Sequence, residues 1–375
     1  MQTSDGSIKL VLFMTRGMSL VAWEQLGIFE REVALYRRLQ ERGVSVTFLT
    51  YGDASDLAYA NRIPSIRILC NRWGLPGRLY AGLIPFLNWK VIRRADVYKT
   101  NQTKGADIAL RAARLWRKPL IARCGYMWSD LAAQRGWARK AEAGHAKTIE
   151  RLVFRSAQKV VVTTPAMRKY VLQNYEVPTS KVEVIPNYVL TELFSPDGAC
   201  PVPNRICFVG RLSEEKNPLA LVEACSNLAL ELVMAGEGPL VSAIQEQAKC
   251  SNANVKLLGS VPHTQLPALL RSSTLFLLVS PHEGHPKTLL EAMACGLAVI
   301  GADSPGIREL INHGETGWLC GTDAPSIRAA IQRLLGDAAL RERLGRNARR
   351  FIVKNFALDR IVEMELAVLR EVSVG

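Results

Sequence analysis

Apolar residues in this chain gather in short, nearly continuous runs, separated by stretches whose apolar positions have helical spacing. Lys9-Leu10-Val11-Leu12-Phe13-Met14 reads as a buried strand. After a loop containing Gly17, the apolar positions Ile28, Val33, Leu35 and Leu39 fall on one face of a helix that Gly43 ends. The next run, Val44 to Thr50, closes a strand-helix-strand unit whose short connections favour a parallel sheet. Comparable runs recur at 119–122, 159–163 and 182–185.

The pattern changes at Pro186-Asn187. From Phe194-Ser195-Pro196-Asp197-Gly198 to Pro201 and Pro203 the chain is rich in Pro, Asp and Gly, so 189–203 is predicted to be a linker. It separates an N-terminal domain, 1–188, from a C-terminal domain, 204–355. In the latter, strands at 206–210, 230–235, 255–258, 274–279 and 298–301 alternate with helices beginning near Pro218, Pro239, Thr264 and Lys287. The stretch 356–375, with apolar positions at Ile361, Met364, Leu366 and Leu369, is predicted to be a helix that packs back on the first domain. The predicted fold class is α/β, two doubly wound Rossmann-like domains. A length of 375 residues exceeds what one ordinary core holds, which agrees with two.

Charge sharpens this picture. Residues 61–160 hold 21 Lys or Arg against 5 Asp or Glu, an excess of 16 where the whole chain has +14, so the rest is close to neutral. Such a stretch attracts phosphates, anionic lipid surfaces or nucleic acid, although a solvated basic face is the plainer reading. Within it, Arg72-Trp73-Gly74-Leu75-Pro76-Gly77-Arg78-Leu79-Tyr80 and Ile84 to Arg94 interleave cations with apolar residues, which suits a bilayer surface, an acceptor cleft or, for the apolar residues, ordinary core packing; the bilayer surface is the reading favoured. Eight cysteines stand singly (Cys70, Cys124, Cys200, Cys207, Cys225, Cys250, Cys295, Cys320), which argues against a zinc site and for a reducing compartment. No window approaches a spanning helix, and Met1 to Asp5 does not read as a signal segment. The expected location is cytoplasmic, peripheral on the inner face of the plasma membrane.

The densest chemistry runs from Ser280 to Gly296, where an apolar strand ends in a loop with Glu283, Gly284, His285 and Pro286, and a helix with Glu291 follows. In an open α/β sheet this is the edge where ligands lie, and the unpaired amides of a first helical turn suit a phosphate. The spacing of Glu283 and Glu291 around Gly284, with Leu290-Glu291-Ala292-Met293-Ala294, resembles the signature of retaining GT-B-fold glycosyltransferases of family 4. Further pieces stand in that family's order: Pro186-Asn187, Gly210-Arg211-Leu212 with Glu215-Lys216-Asn217, Ala235-Gly236-Glu237-Gly238-Pro239, Gly259 with Val261-Pro262, and Gly314-Glu315-Thr316-Gly317.

The resemblance implies two domains facing across a cleft. It also implies that Arg211 and Lys216 bind the donor diphosphate, Glu291 the ribose and Glu283 the transferred sugar, with the segment His285, Pro286, Lys287, Thr288 and Leu289 supporting the phosphates beside Gly210, Gly284 and Gly17. It further implies retained anomeric configuration, by attack from the leaving group's side. The chain contains no Asp-x-Asp motif, so no metal and no cofactor is expected. The family's paired glycines are absent near Gly17. Where many relatives carry a His this chain has Arg123, expected either to contact phosphate or acceptor or to form a structural salt bridge.

The expected partners are a UDP- or GDP-sugar donor, a glycan or lipid-linked acceptor in cell-surface polysaccharide or lipopolysaccharide synthesis, and an anionic membrane surface; no specific nucleic acid is expected. A non-catalytic subunit that kept the donor fold is the alternative. A dinucleotide-dependent oxidoreductase is excluded, because no Gly-x-Gly-x-x-Gly follows the first strand.

Overall fold

The computed structural model describes residues 7–134, 140–198 and 200–374; Met1 to Asp5 lie outside them. The chain divides into two compact units, Met1–Pro186 with Val362–Gly375, and Asn187–Ile361. The first holds a seven-stranded sheet: β1 (Lys9–Phe13), β2 (Ser45–Leu49), β3 (Arg67–Leu69), β4 (Val97–Thr100), β5 (Leu120–Cys124), β6 (Lys159–Val162) and β7 (Val182–Val184), ordered 3-2-1-4-5-6-7. The second holds six: β8 (Arg205–Val209), β9 (Glu231–Ala235), β10 (Val255–Leu257), β11 (Leu275–Leu278), β12 (Ala298–Ala302) and β13 (Trp318–Cys320), ordered 10-9-8-11-12-13.

Every pairing is parallel, so each connection must cross over, and helices do so in both units. Parallel strands are covered on both faces, which is why their sequences are apolar runs rather than alternations. The order reverses beside β1 and beside β8, and a crevice for ligands opens at such reversals, at the carboxyl ends of the strands.

Local chemistry sets the helix starts. Thr164 accepts from the Met167 amide at 3.1 Å and Pro165 opens the helix Pro165–Tyr175, where its missing N–H costs nothing. The helix Leu20–Gln25 is capped by the buried carboxylate of Asp56, whose Oδ1 accepts from Leu20 N (2.9 Å) and Val21 N (3.1 Å) while Oδ2 accepts from Thr50 Oγ1 (2.5 Å). Burial pushes this carboxyl above its ordinary range, and the three donors pull it back only in part.

The segment expected as a linker is built into the second unit. Val189 and Phe194 are buried in its core, and Val189 N donates to Phe356 O at 2.8 Å. Its prolines and glycine shape turns, but the apolar residues among them find a core to enter. At the other end, the helix Leu358–Val374 supplies Val362 onward to the first unit. There Glu365 Oε2 accepts from Lys99 Nζ of β4 at 2.6 Å with both side chains fully buried, and Arg123 Nη1 of β5 lies 3.6 Å from Glu365 Oε1. Glu371 meets Lys159 of β6 at 2.9 Å. Burial holds the Lys99 ammonium below its ordinary range, and the Glu365 carboxylate opposes that.

A buried ion pair is costly to break from one side, because the survivor is left uncompensated. Glu365→Gln is therefore expected to destabilise the chain by roughly 3–5 kcal/mol, read from its thermal midpoint, and the joint change Lys99→Met with Glu365→Leu to recover most of that loss. An unchanged midpoint in Glu365→Gln would show that the pair carries no stability.

Candidate active site

In the second unit, β11 ends at Leu278 and the chain loops through Val279 to Pro286 before the helix Lys287–Ala294. The loop is tied from three directions: Ser304 Oγ donates to Ser280 O (2.8 Å), Glu283 N donates to Pro305 O (3.2 Å), and Asn187 Nδ2 donates to His285 O (2.8 Å). Gly306 has φ +81°, and a Cβ there would sit 2.3 Å from Glu283 O, so only glycine lets the neighbouring loop close on this one. No side chain caps the helix at Pro286. The amides of Thr288 and Leu289 lie at the positive end of this helix's dipole, at the sheet's carboxyl edge, with Leu289 buried and able to offer only its backbone.

Lys216 reaches the same loop from β8. The turn Glu214–Lys216 ends in Asn217, at φ +55°, whose Nδ2 donates to Val279 O (3.2 Å) and Thr322 O (2.8 Å). That anchorage places Lys216 Nζ 2.5 Å from Glu283 Oε1, with both side chains largely shielded. Beneath it, Gly210 at the end of β8 packs against Gly236, where φ is +144° and a Cβ would overlap the Gly210 carbonyl. The two glycine-containing motifs are therefore consecutive layers of one edge.

The other expected residues are placed differently. Arg211 follows Gly210 but points outward, with 61% of its side chain exposed and Nη1 3.9 Å from Glu215 Oε1. Glu291 faces inward from the helix and is 2% exposed; its Oε1 lies 2.8 Å from Nε2 of buried His263. An ionised carboxylate only accepts, so the proton of this contact sits on Nε2. Among the described residues, His263 Nδ1 has no hydrogen-bond partner, and the ring rests on Phe194 with centroids 5.0 Å apart.

His263 follows Val261-Pro262, and its adjacency to that motif is the one sequence signal that could have singled it out. The two carboxylates thus divide: Glu283 turns to Lys216, Glu291 to His263. In the first unit, Gly17 sits in an exposed loop after β1 at φ +85°, where a side chain would be strained. Arg123 has the salt bridge to Glu365 that its sequence position allowed as one of two readings.

Two doubly wound sheets, with a cation, a carboxylate and a helix N-terminus meeting at the carboxyl edge of the second, define a class of protein equipped to hold a phosphorylated ligand. Family comparison narrows the class. The model described as Glycosyl transferases group 1 matches residues 196–351, and that of Glycosyltransferase Family 4 matches 33–193; together they span most of the chain, which belongs to this glycosyltransferase family.

Among curated relatives, the D-inositol 3-phosphate glycosyltransferase of Salinispora tropica is 26% identical over 392 residues, covering 92% of this chain and 80% of its own. The N-acetyl-alpha-D-glucosaminyl L-malate synthase of Bacillus anthracis is 26% identical over 58% of this chain, and the match spans only 62% of that relative's length. Among solved structures, sucrose-phosphate synthase from Thermosynechococcus elongatus superposes with a TM-score of 0.80 at 20% identity, covering 97% of this chain and 98% of its own. HepE of Anabaena in complex with UDP and glucose gives 0.76 at 18%, covering 97% and 100%. The fold is shared with both.

Because Glu291 and His263 are buried together, His263→Ala is expected to lower stability by about 1–3 kcal/mol, the cost of a buried acceptor losing its donor. His263→Gln, which keeps a donor, should recover part of it. Equal midpoints for the parent and His263→Ala, by calorimetry of the second unit's transition, would count against the contact.

Proposed function

We propose that this chain is a retaining glycosyltransferase that moves a sugar from a UDP- or GDP-sugar to a glycan or lipid-linked acceptor, with the donor on the second unit and the acceptor on the first. The observation that carries this reading is the pairing of Lys216 with Glu283 beside the uncapped helix Lys287–Ala294. A glycosyl diphosphate donor presents a partner for each half of such a site: an anionic diphosphate for the cation and helix amides, and hydrogen-bond-donating sugar hydroxyls for the carboxylate. HepE, of the same fold, has been seen with UDP and with UDP-glucose, which supports a nucleotide-sugar donor.

In the proposed reaction the bond between the sugar's anomeric carbon and the β-phosphate oxygen breaks. A bond from the acceptor hydroxyl oxygen forms on the same face, and the hydroxyl proton passes to the departing phosphate. Negative charge grows on the diphosphate as the bond lengthens. Lys216, Arg211 and the amides of residues 287 to 289 are the groups that would stabilise it, and in a partly water-excluded site fixed donors are worth more than solvent. Glu283, already held by Lys216, would orient the sugar. Glu291, fixed by His263, would take the ribose hydroxyls. This reading assigns the charge stabilisation to these cations and dipoles rather than to a divalent ion.

The rival reading, a donor-binding subunit without activity, draws on Arg123, which stands where the family resemblance leads one to expect a His and is engaged by Glu365. Release of nucleoside diphosphate from a panel of sugar nucleotides separates the two, because a binding subunit releases none. Lys216→Ala is expected to lower turnover by about two orders of magnitude or more with a smaller change in KM, as loss of a group that acts on developing charge does. Glu291→Ala is expected to weaken donor binding instead, measured by titration calorimetry. Parent kinetics in both variants would remove these residues from the site.

A further inference from the structure

The helix Gly77–Leu87 in the first unit is apolar on two sides. Tyr80, Ala81, Ile84 and Pro85 are buried against the unit, as a surface helix requires. Leu79 and Phe86 are 50% and 56% exposed, and seven residues, nearly two full turns, place them on one shared face away from that core. Gly82 between them is exposed, and Arg78 is the helix's one charged residue.

The apolar face continues past the turn at Asn88. Trp89, 43% exposed, opens the helix Trp89–Ile92 and stacks on Trp116, with ring centroids 6.4 Å apart and planes 21° from parallel. Trp116 is itself fixed by donation from Nε1 to Pro85 O at 3.0 Å, and its neighbour Leu115 is 45% exposed. Four large apolar side chains on adjoining helices are therefore presented to solvent. The structure holds them there, since the stacked tryptophans and the Pro85 contact leave little freedom to fold the face inward.

The charge around this face has one sign. Between Asp56 and Asp96 the sequence has seven Lys or Arg and no Asp or Glu, and of these Arg78, Lys90, Arg93 and Arg94 are exposed on or next to the two helices. We propose that the face formed by Leu79, Phe86, Trp89 and their flanking cations docks the first unit on an anionic lipid bilayer.

Complementarity selects this occupant. A nucleic acid or free polyphosphate would meet the cations but offers nothing to an exposed leucine and phenylalanine. A second copy of the chain would bring like charges together. An anionic bilayer satisfies both features: apolar side chains enter the boundary between headgroups and acyl chains, an aromatic ring sits at that level, and lysine and arginine stay among the phosphates. Among the described residues no helix is long and apolar enough to cross a membrane, so the contact proposed is one of lying on the surface. It rests on the first unit alone and does not depend on the donor reading of the second.

The test uses the full chain and sedimented vesicles of phosphatidylglycerol and phosphatidylcholine in equal parts, with phosphatidylcholine alone as reference. The parent is expected to bind the anionic vesicles, and raised salt to weaken that binding. Leu79→Ser, Phe86→Ser and Trp89→Ser together should reduce it about tenfold or more, through lost apolar transfer. These positions are exposed, so circular dichroism and the melting midpoint should match the parent.

Brominated lipid should quench part of the tryptophan emission of the parent, and less of it in Trp89→Phe. The proposal is overturned if the parent ignores anionic vesicles at low salt, if the triple variant binds them as well as the parent, or if retention on inorganic polyphosphate occurs with no vesicle binding. Sugar-nucleotide turnover is measured without lipid, so failure of either reading shows independently of the other.

Discussion

Two side chains of opposite charge, 67 residues apart, meet at 2.5 Å where the second sheet's strands end, and the local structure is arranged around keeping them there. Taking a lysine and a glutamate partly out of water costs more than their attraction returns unless the geometry is fixed in advance. Here Asn217 fixes the lysine's loop against Val279 and Thr322, and the amide of Glu283 fixes the glutamate's loop against Pro305. Gly236 and Gly306 let the surrounding loops close without a side chain in the way. The pair is the strongest link between the architecture and the chemistry proposed for it, because either partner alone would be an uncompensated charge waiting for a ligand.

Most of the fold was legible in the sequence because parallel strands are buried on both faces and read as apolar runs. The start of the helix Lys287–Ala294 was legible, since Pro286 stands immediately before it. The misses have physical causes. β4 reads Val-Tyr-Lys-Thr, and a lysine in the middle hides a fully buried strand unless its partner Glu365 is known. β3 and β13 are three-residue edge strands, too short for a period to show. Within the segment predicted as a linker, composition near Pro196 and Pro203 hid the burial of Val189 and Phe194, which depends on a core assembled from distant segments.

The candidate site was legible as a set of motifs but not as a set of contacts. Spacing brought Glu283 and Glu291 to one loop and one helix, yet it could not say that one faces a lysine and the other a histidine. Arg211 and Lys216, five residues apart, looked equivalent in sequence; the structure makes one a solvent-facing cation and the other a shielded partner. Fold is retained among relatives at about one residue in five identical, so the difference between this chain and its neighbours has to be sought in such side-chain pairings rather than in the sheets that carry them.

The ion pair between Lys99 and Glu365 joins residues 266 apart in sequence, with the whole second unit, Asn187–Ile361, between them. All seven strands of the first sheet precede in sequence the carboxylate that neutralises the middle of β4, so they leave the ribosome before it does. The second unit, continuous from Asn187 to Ile361, can complete its core before the first has its full complement of charges. Completion of the first unit therefore waits for the helix Leu358–Val374, and a nascent chain stalled before Glu365 would carry a finished second unit and a first sheet whose Lys99 ammonium still lacks its carboxylate.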